Sequence, residues 1–171
     1  WKTAFVPRTG VPELLKRGWH HVTVDTFRHR MDAEGLRLSA AFQKYLVEEL
    51  GFSPKAGLIG LSWGGFFSTR YAAAYPQNAG KIYLDCPLLN FGCRRSTEGL
   101  GPWERKALES WTKDPRMPIN TVSPIAEAKI PVLLVYGGAD DVLNPKLSAE
   151  IFISRFKAAG GDIKVIYRAR Y

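Results

Sequence analysis

The chain of 171 residues contains only two cysteines and three histidines, and it has no long apolar run. Two thiols, Cys86 and Cys93, are too few for a disulfide framework or a four-thiolate zinc site. Their spacing of seven would permit a bridge in an oxidising compartment, but two free thiols are the favoured interpretation. The histidines form no His-x-x-x-His pair and no carboxylates cluster beside His29, so no metal is predicted. No run reaches the roughly 18 apolar residues of a membrane-spanning helix, so no membrane partner is predicted. No glycine-rich segment carries the Lys of a phosphate-binding loop, and we predict no cofactor.

The net charge of +8 is spread along the chain rather than collected into one basic segment. Its densest groups lie at residues 28–30 and 94–95. Nucleic-acid-binding proteins typically carry long basic runs, or basic segments interleaved with aromatic residues, and neither occurs in this sequence. Scattered charge is typical of a solvated surface, so the sequence predicts no nucleic-acid partner.

Short apolar, strand-like runs alternate with helical patterns over most of the chain. Strands are predicted at 20–25, 55–61, 81–85, 132–137 and 162–168, and helices at 34–51, 63–75, 102–112 and 145–159. This alternation predicts one α/β domain over residues 1–171, with a mostly parallel sheet and helices on both of its faces. The proline-rich residues 86–130 predict a small insertion over the C-terminal edge of the sheet. The helix at 34–51 is predicted to bury one apolar face, formed by Leu38, Ala41, Phe42, Tyr45, Leu46 and Leu50.

The segment Gly60-Leu61-Ser62-Trp63-Gly64 matches the G-x-S-x-G pattern of a nucleophile elbow. A predicted strand precedes it and a predicted helix follows it, which is the context that such an elbow requires. The two glycines would permit a tight turn without clashes, and the turn would expose the Ser62 hydroxyl. The Trp63 backbone N–H and the helix N-terminus would then point to the place where an oxyanion is stabilised. The alternative interpretation is a serine N-cap on an ordinary turn.

A serine nucleophile needs a base, which is usually a histidine oriented by a carboxylate. Asp140 and Asp141 follow the fourth predicted strand and so lie on the ligand side of a parallel sheet. The position of Asp141 between Gly138 and Pro145 favours it as the acid, with Asp140 as the alternative. One member of the pair is expected to cap the following helix. Asp85, at the end of the third predicted strand, is a weaker candidate for the acid.

On these residues the chain resembles the α/β-hydrolase superfamily over nearly its whole length. It is similar in particular to bacterial esterase-like serine hydrolases, through "WKTAF" at 1–5, "LLKRGWH" at 14–20 and "DCPLL" at 85–89. The resemblance implies hydrolysis of a small-molecule carboxylic ester through an acyl-enzyme on Ser62, without a cofactor. It implies an oxyanion hole formed by the Trp63 N–H and a second N–H near Lys2 or Thr3. It also implies a periplasmic or secreted location.

The catalytic residues of this fold occur in the order serine, acid, histidine, but all three histidines of the sequence precede Ser62. The resemblance therefore predicts the catalytic histidine just beyond Tyr171 and the first strands of the sheet before Trp1. The alternatives are a non-catalytic binding protein that keeps the fold and a peptidase of the prolyl-oligopeptidase type. His29, in a loop after a predicted strand, and Trp103, in the insertion, are the candidates for contact with substrate.

Overall fold

The computed structural model describes residues 6–170, which contain a four-stranded sheet. Its neighbouring strands are parallel and follow the order β1-β2-β3-β4. The strands are β1 Ala56–Leu61, β2 Ala79–Asp85, β3 Val132–Gly137 and β4 Ile163–Arg168. Four of the five predicted strands are therefore confirmed. Leu61 pairs with Asp85, and Asp85 pairs with Val135, so the carboxyl ends of β1, β2 and β3 meet at one edge.

Residues 6–170 also form six α-helices: α1 Val11–Lys16, α2 Ala33–Glu48, α3 Trp63–Ala74, α4 Pro102–Ala107, α5 Ser123–Glu127 and α6 Ala149–Ala158. The helices predicted at 34–51 and 63–75 are confirmed as α2 and α3. The helix predicted at 102–112 ends early, at Ala107. The helix predicted at 145–159 begins as a 3-10 turn at Pro145–Leu147. It becomes α-helical only at Ala149, because Ser148 leaves helical geometry with φ −120° and ψ −89°.

The main hydrophobic core lies on one face of the sheet. Side chains alternate between the two faces of a strand, and four inward-facing residues are almost fully buried: Ile82, Leu84, Val132 and Leu134. They share a core with Phe66 of α3 and Phe152 of α6. On the opposite face their neighbours Lys81, Tyr83 and Leu133 are exposed or half-buried. The core is thus built between the sheet and the layer that contains α3 and α6.

The prediction of a strand at 20–25 is wrong. The segment has no regular secondary structure and its residues are exposed. Val22 and Val24 keep 43% and 42% of their surface accessible to solvent. It runs beside β1 along a cavity of about 1480 Å³ but does not pair with the sheet. Alternating Val and Thr favour a strand only where a neighbouring strand supplies hydrogen bonds and one face is covered. Residues 20–25 have neither a paired neighbouring strand nor a covered face.

The buried face of α2 also differs from the predicted one. Ala41, Tyr45 and Leu50 are exposed, whereas the buried residues of α2 are Gly35, Ser39, Gln43 and Leu46. The two polar members are satisfied inside the protein. The Ser39 hydroxyl donates to the Gly35 carbonyl, and the Gln43 amide donates to the carbonyls of Pro54 and Asn78. An apolar pattern cannot reveal a helix face that is buried through hydrogen bonds.

The insertion between β2 and β3 contributes to the core instead of forming a separate lid. It contains α4, α5 and a 3-10 turn, and it buries Phe91, Met117, Ile119 and Ile125 completely. An ion pair of 2.9 Å between Arg30 Nε and Glu104 Oε1 joins α4 to the loop before α2. The insertion starts at the carboxyl edge of the sheet, where the sequence predicts it.

Candidate active site

Ser62 occupies a strained turn between β1 and α3. Its backbone has φ 48° and ψ −116°, which is a costly conformation for a residue with a side chain, on the order of 1–3 kcal/mol. Three hydrogen bonds hold it in place. The Ser62 N–H donates to the Asp85 carbonyl at 3.1 Å, and the Ser62 carbonyl accepts from the N–H groups of Gly65 and Leu88, both at 2.9 Å. Such strain, held by the surrounding backbone, is typical of a nucleophile elbow and not of an ordinary N-cap.

Two glycines are sterically required at this turn. A Cβ on Gly60 would lie 2.6 Å from the Gly64 carbonyl oxygen, and a Cβ on Gly65 would lie 2.4 Å from Pro87 Cβ. A Cβ on Gly64 would meet only the Ile59 carbonyl oxygen, at an ordinary contact distance of 3.9 Å. The prediction that the glycines of the G-x-S-x-G pattern prevent clashes therefore holds for Gly60 and is wrong for Gly64. The close approach on the helix side falls on Gly65 instead.

Alanine substitutions at Gly64 and Gly65 should have different effects on the free energy of unfolding. We expect Gly65→Ala to lower the free energy of unfolding by about 1–3 kcal/mol, because the new methyl group overpacks against Pro87. Gly64→Ala should be neutral or stabilise by up to about 1 kcal/mol, since alanine favours a helix more than glycine does. Urea unfolding of the two variants measures the difference. Equal destabilisation would mean that the turn is packed differently.

The Ser62 turn opens into a cavity of about 290 Å³ at the carboxyl edge of the sheet. The cavity joins Ser62 to the turn after β3, and its lining consists of Ser62, Cys86, Ala139, Asp140, Asp141, Val142 and Leu143. The structure thus brings together the predicted nucleophile and both predicted acids. Asp85 is not part of this lining, and its carboxylate accepts a hydrogen bond of 2.8 Å from the Tyr83 hydroxyl.

Asp140 and Asp141 line the same cavity in different surroundings. Asp140 Oδ1 accepts hydrogen bonds from the backbone N–H groups of Val142 at 2.9 Å and Leu143 at 2.8 Å. Both bonds use Oδ1, so they orient the carboxylate without using Oδ2. Asp141 is exposed. The 3-10 turn that follows is capped by Asn144, so the expectation that one of the two aspartates caps it is wrong, because Asp140 closes its own turn instead.

Trp63 is the first residue of α3 and directly follows Ser62. Its backbone N–H has no intrahelical acceptor because it lies in the first turn of the helix, but Trp63 is not among the residues that line the Ser62 cavity. Its side chain packs in an aromatic cluster with ring centroids 5.8 Å from Phe27 and 5.5 Å from Phe91, and the Arg30 guanidinium lies 5.0 Å from the Trp63 ring centroid. The second predicted oxyanion donor, near Lys2 or Thr3, lies outside the described residues.

His29 and Trp103 do not line the cavity that holds Ser62. The His29 ring lies near the start of α2, with Nδ1 3.9 Å from Asp32 Oδ1, and it accepts a hydrogen bond from Arg28. Trp103 packs in the aromatic cluster, with its ring centroid 5.3 Å from that of Phe91, and Arg116 lies over its ring. Contact of either residue with substrate stays a prediction. No histidine among residues 6–170 lines the cavity.

Cys86 lines the cavity beside Ser62, which the sequence analysis missed. The available signal was its position directly after β2, at the ligand edge of the sheet. Its backbone has φ 40°, a second strained conformation at the site. Burial raises the pKa of the thiol to about 11, and the nearby Asp85 carboxylate acts in the same direction. Both Cys86 and Cys93 are free thiols, as predicted.

Cys86 should therefore resist alkylation. A pKa near 11 lowers the thiolate fraction at pH 8 by about 100-fold relative to an ordinary thiol, and the thiolate is the reactive form. We expect iodoacetamide to modify the native protein slowly and the urea-unfolded protein rapidly at the same pH. Peptide mass spectrometry separates Cys86 from Cys93. Rapid labelling of native Cys86 would contradict a protonated thiol at this position.

None of the helices within residues 6–170 has the length and apolar character needed to cross a membrane. The same residues contain no group of three or more His, Cys, Asp and Glu side chains arranged to hold a metal ion.

Comparison with known proteins gives one family match. The family model described as alpha/beta hydrolase fold matches residues 10–113, which is more than half of the chain. No curated protein matches the sequence.

Several solved structures are similar in fold. Mycobacterium tuberculosis MPT51 superposes with a TM-score of 0.61 at 14% identity, over 78% of this chain and 59% of that protein. Porphyromonas gingivalis dipeptidyl peptidase 4 superposes with a TM-score of 0.63 at 16% identity, over 78% of this chain and 18% of that protein. A thermostable esterase superposes with a TM-score of 0.55 at 14% identity, over 80% of this chain and 28% of that protein. The chain thus spans about three-fifths of MPT51 and smaller shares of the other two.

Proposed function

Because the chain belongs to the alpha/beta hydrolase fold family, we propose that it is a serine hydrolase that cleaves carboxylic esters through an acyl-enzyme on Ser62. The observation that carries the proposal is the strained Ser62 turn, which opens into the same cavity as two carboxylates. A backbone with φ 48° is costly, and a hydroxyl held there gains nothing structurally, since the Ser62 side chain caps no helical N–H. An exposed nucleophile explains the conformation.

In this proposal the Ser62 Oγ attacks the ester carbonyl and forms a tetrahedral oxyanion. The Trp63 N–H and the N-terminus of α3 stabilise that negative charge. Collapse of the intermediate breaks the bond to the alcohol, which leaves with the proton that came from Ser62. Water then attacks the acyl group, and the acid product and free Ser62 are released. The second oxyanion donor is expected near Lys2 or Thr3.

We propose Asp140 as the acid, in preference to the Asp141 that the sequence spacing favours. Two backbone N–H groups hold Asp140 Oδ1, so its carboxylate is fixed in one orientation on a residue that lines the cavity. An acid that orients a histidine must itself be oriented, because a mobile carboxylate would not select one tautomer. The exposed side chain of Asp141 has no comparable restraint among the described residues.

The base in this proposal is an imidazole placed in the cavity between Ser62 and Asp140. A volume of about 290 Å³ is large enough for such a ring. The resemblance assigns it to a histidine that follows the last strand. The same space should also admit free imidazole from solution, which provides a direct test.

The test is hydrolysis of p-nitrophenyl acetate, with and without added imidazole. We expect a protein-dependent rate that rises with imidazole beyond the rate of imidazole alone, and an acetyl group on the peptide that contains Ser62. The control is Ser62→Ala, which should give only the background rate. An equal rate in the variant, or acetylation elsewhere, would contradict the proposal.

Two other functions are distinguished by assays with peptide p-nitroanilides and with a fluorophosphonate beside the ester assay. A peptidase would cleave short p-nitroanilides of peptides with a higher kcat/KM than it shows for acyl esters. A non-catalytic binding protein would give neither hydrolysis nor reaction of Ser62 with a fluorophosphonate. The structural likeness to a peptidase and to an esterase, at 16% and 14% identity, concerns the fold and favours neither.

A further inference from the structure

Residues 88–95 of the insertion, which we term the strap, run from the nucleophile turn to the turn that carries Asp140. At its first residue, the Leu88 N–H donates to the Ser62 carbonyl at 2.9 Å. Leu88 and Leu89 are buried, and the Leu89 N–H donates to Ser148 Oγ at 3.3 Å. The start of the strap is therefore anchored in the core and bonded directly to the backbone of the nucleophile.

The end of the strap pairs with the backbone that holds Asp140. The Arg95 N–H donates to the Val142 carbonyl at 3.1 Å, and the Asn144 N–H donates to the Cys93 carbonyl at 2.7 Å. An isolated antiparallel bridge between Arg94 and Leu143 lies between these two bonds, and the three contacts form a short ladder. Val142 in turn donates its own N–H to Asp140 Oδ1. The position of the Asp140 carboxylate thus depends on the position of the strap.

The side chains of the adjacent residues Arg94 and Arg95 bind different parts of the backbone. Arg95 Nε donates to the Asp140 carbonyl at 3.1 Å, across 45 positions of sequence. Arg94 instead donates to the carbonyls of Ser96 and Glu98, within its own loop. The two residues carry the same charge and differ in which backbone they hold. Of the two arginines, only Arg95 donates a hydrogen bond to the residue that we propose as the acid.

We propose that Arg95 is a positioning residue that fixes the Asp140 turn against the strap, an inference that rests on the proposed role of Asp140 as the acid. Its side chain binds the Asp140 backbone from outside the cavity, while Val142 and Leu143 bind the carboxylate from within the turn. The carboxylate is therefore held through both its backbone and its side chain. Arg95 acts on the acid and does not itself line the cavity.

Three variants test the proposal. Arg95→Met removes the donor. Arg95→Gln keeps an N–H at the same position along the side chain but removes the charge. Arg94→Met is the matched control, because it removes the same charge and leaves the Asp140 turn untouched. Each protein is assayed for kcat and KM with p-nitrophenyl acetate, and for hydrogen exchange of the Val142 and Leu143 amides.

We expect Arg95→Met to lower kcat and to accelerate exchange of the two amides by about 3- to 10-fold each, the effect of losing one hydrogen bond. KM should stay unchanged, and Arg95→Gln and Arg94→Met should behave as the wild type in both measurements. A rise in KM alone would mean that Arg95 contacts substrate and would overturn the inference. So would equal losses in Arg94→Met and Arg95→Met, because they would indicate an effect of charge.

A fourth variant, Asp140→Asn, assayed in the same way, distinguishes failure of the inference from failure of the proposed function. If Asp140→Asn keeps wild-type activity, Asp140 is not the acid and both are overturned. If Asp140→Asn is inactive while Arg95→Met keeps full activity and slow amide exchange, only the positioning role of Arg95 is overturned.

Discussion

With imidazole present as the base, replacing Ser62 with alanine is expected to lower kcat/KM for p-nitrophenyl acetate to the level of imidazole alone, a loss on the order of 10⁴-fold or more where the triad is complete. The substitution removes the attacking oxygen and leaves the surrounding turn in place. Alanine keeps the Cβ that the strained backbone already accommodates, and the hydrogen bonds of Ser62 to Asp85, Gly65 and Leu88 all use backbone atoms. We therefore expect the free energy of unfolding to change little.

Ser62→Gly is the matched control for this prediction. Glycine tolerates a φ of 48° without the steric cost that a side chain incurs. This variant should also be inactive, but it should be more stable than the wild type by about 1 kcal/mol, after allowance for the greater entropy of glycine in the unfolded chain. Kinetics and urea unfolding of the two variants separate the roles of the oxygen and the backbone. Retained hydrolysis in either variant would rule out Ser62 as the nucleophile.

The fold was predictable where local pattern and tertiary environment agree. β1 and α3 are well predicted because a continuous apolar run and a helical pattern meet at a turn whose geometry demands glycine, as at Gly60. The segment 20–25 has the local preference of a strand without a paired neighbour, and the preference alone does not form one. The buried face of α2 was missed because Gln43 is accommodated by hydrogen bonds to distant carbonyls.

The candidate site was predictable to a similar degree. Ser62 could be predicted as the candidate nucleophile because the residues that shape its turn lie within six consecutive positions, from Gly60 to Gly65. The choice between Asp140 and Asp141 depends on which side chain closes the turn, and spacing along the sequence does not contain that information. Cys86 could have been found from its position directly after β2, whereas the contact of Arg95 with the Asp140 backbone spans 45 positions of sequence and becomes visible only in three dimensions.

Asp140→Asn is expected to lower kcat by about 10⁴-fold, because an amide in place of the carboxylate neither stabilises an imidazolium nor selects the productive tautomer of the base. The variant is nearly isosteric, and the amide oxygen of the new side chain would still accept from the N–H groups of Val142 and Leu143, so the turn should survive. Asp141→Asn is the matched control: its side chain is exposed, so the free energy of unfolding should change by no more than about 0.5 kcal/mol and kcat should change little.

The comparison is made by steady-state kinetics, with circular dichroism and urea unfolding to show that both variants fold. A large loss in Asp140→Asn with little loss in Asp141→Asn would support an acid that the backbone of its own turn orients. The reverse result would assign the acid to Asp141, as the sequence spacing favours. It would then follow that the hydrogen bonds at Asp140 only shape the turn and that the exposed carboxylate becomes ordered when the base enters the cavity.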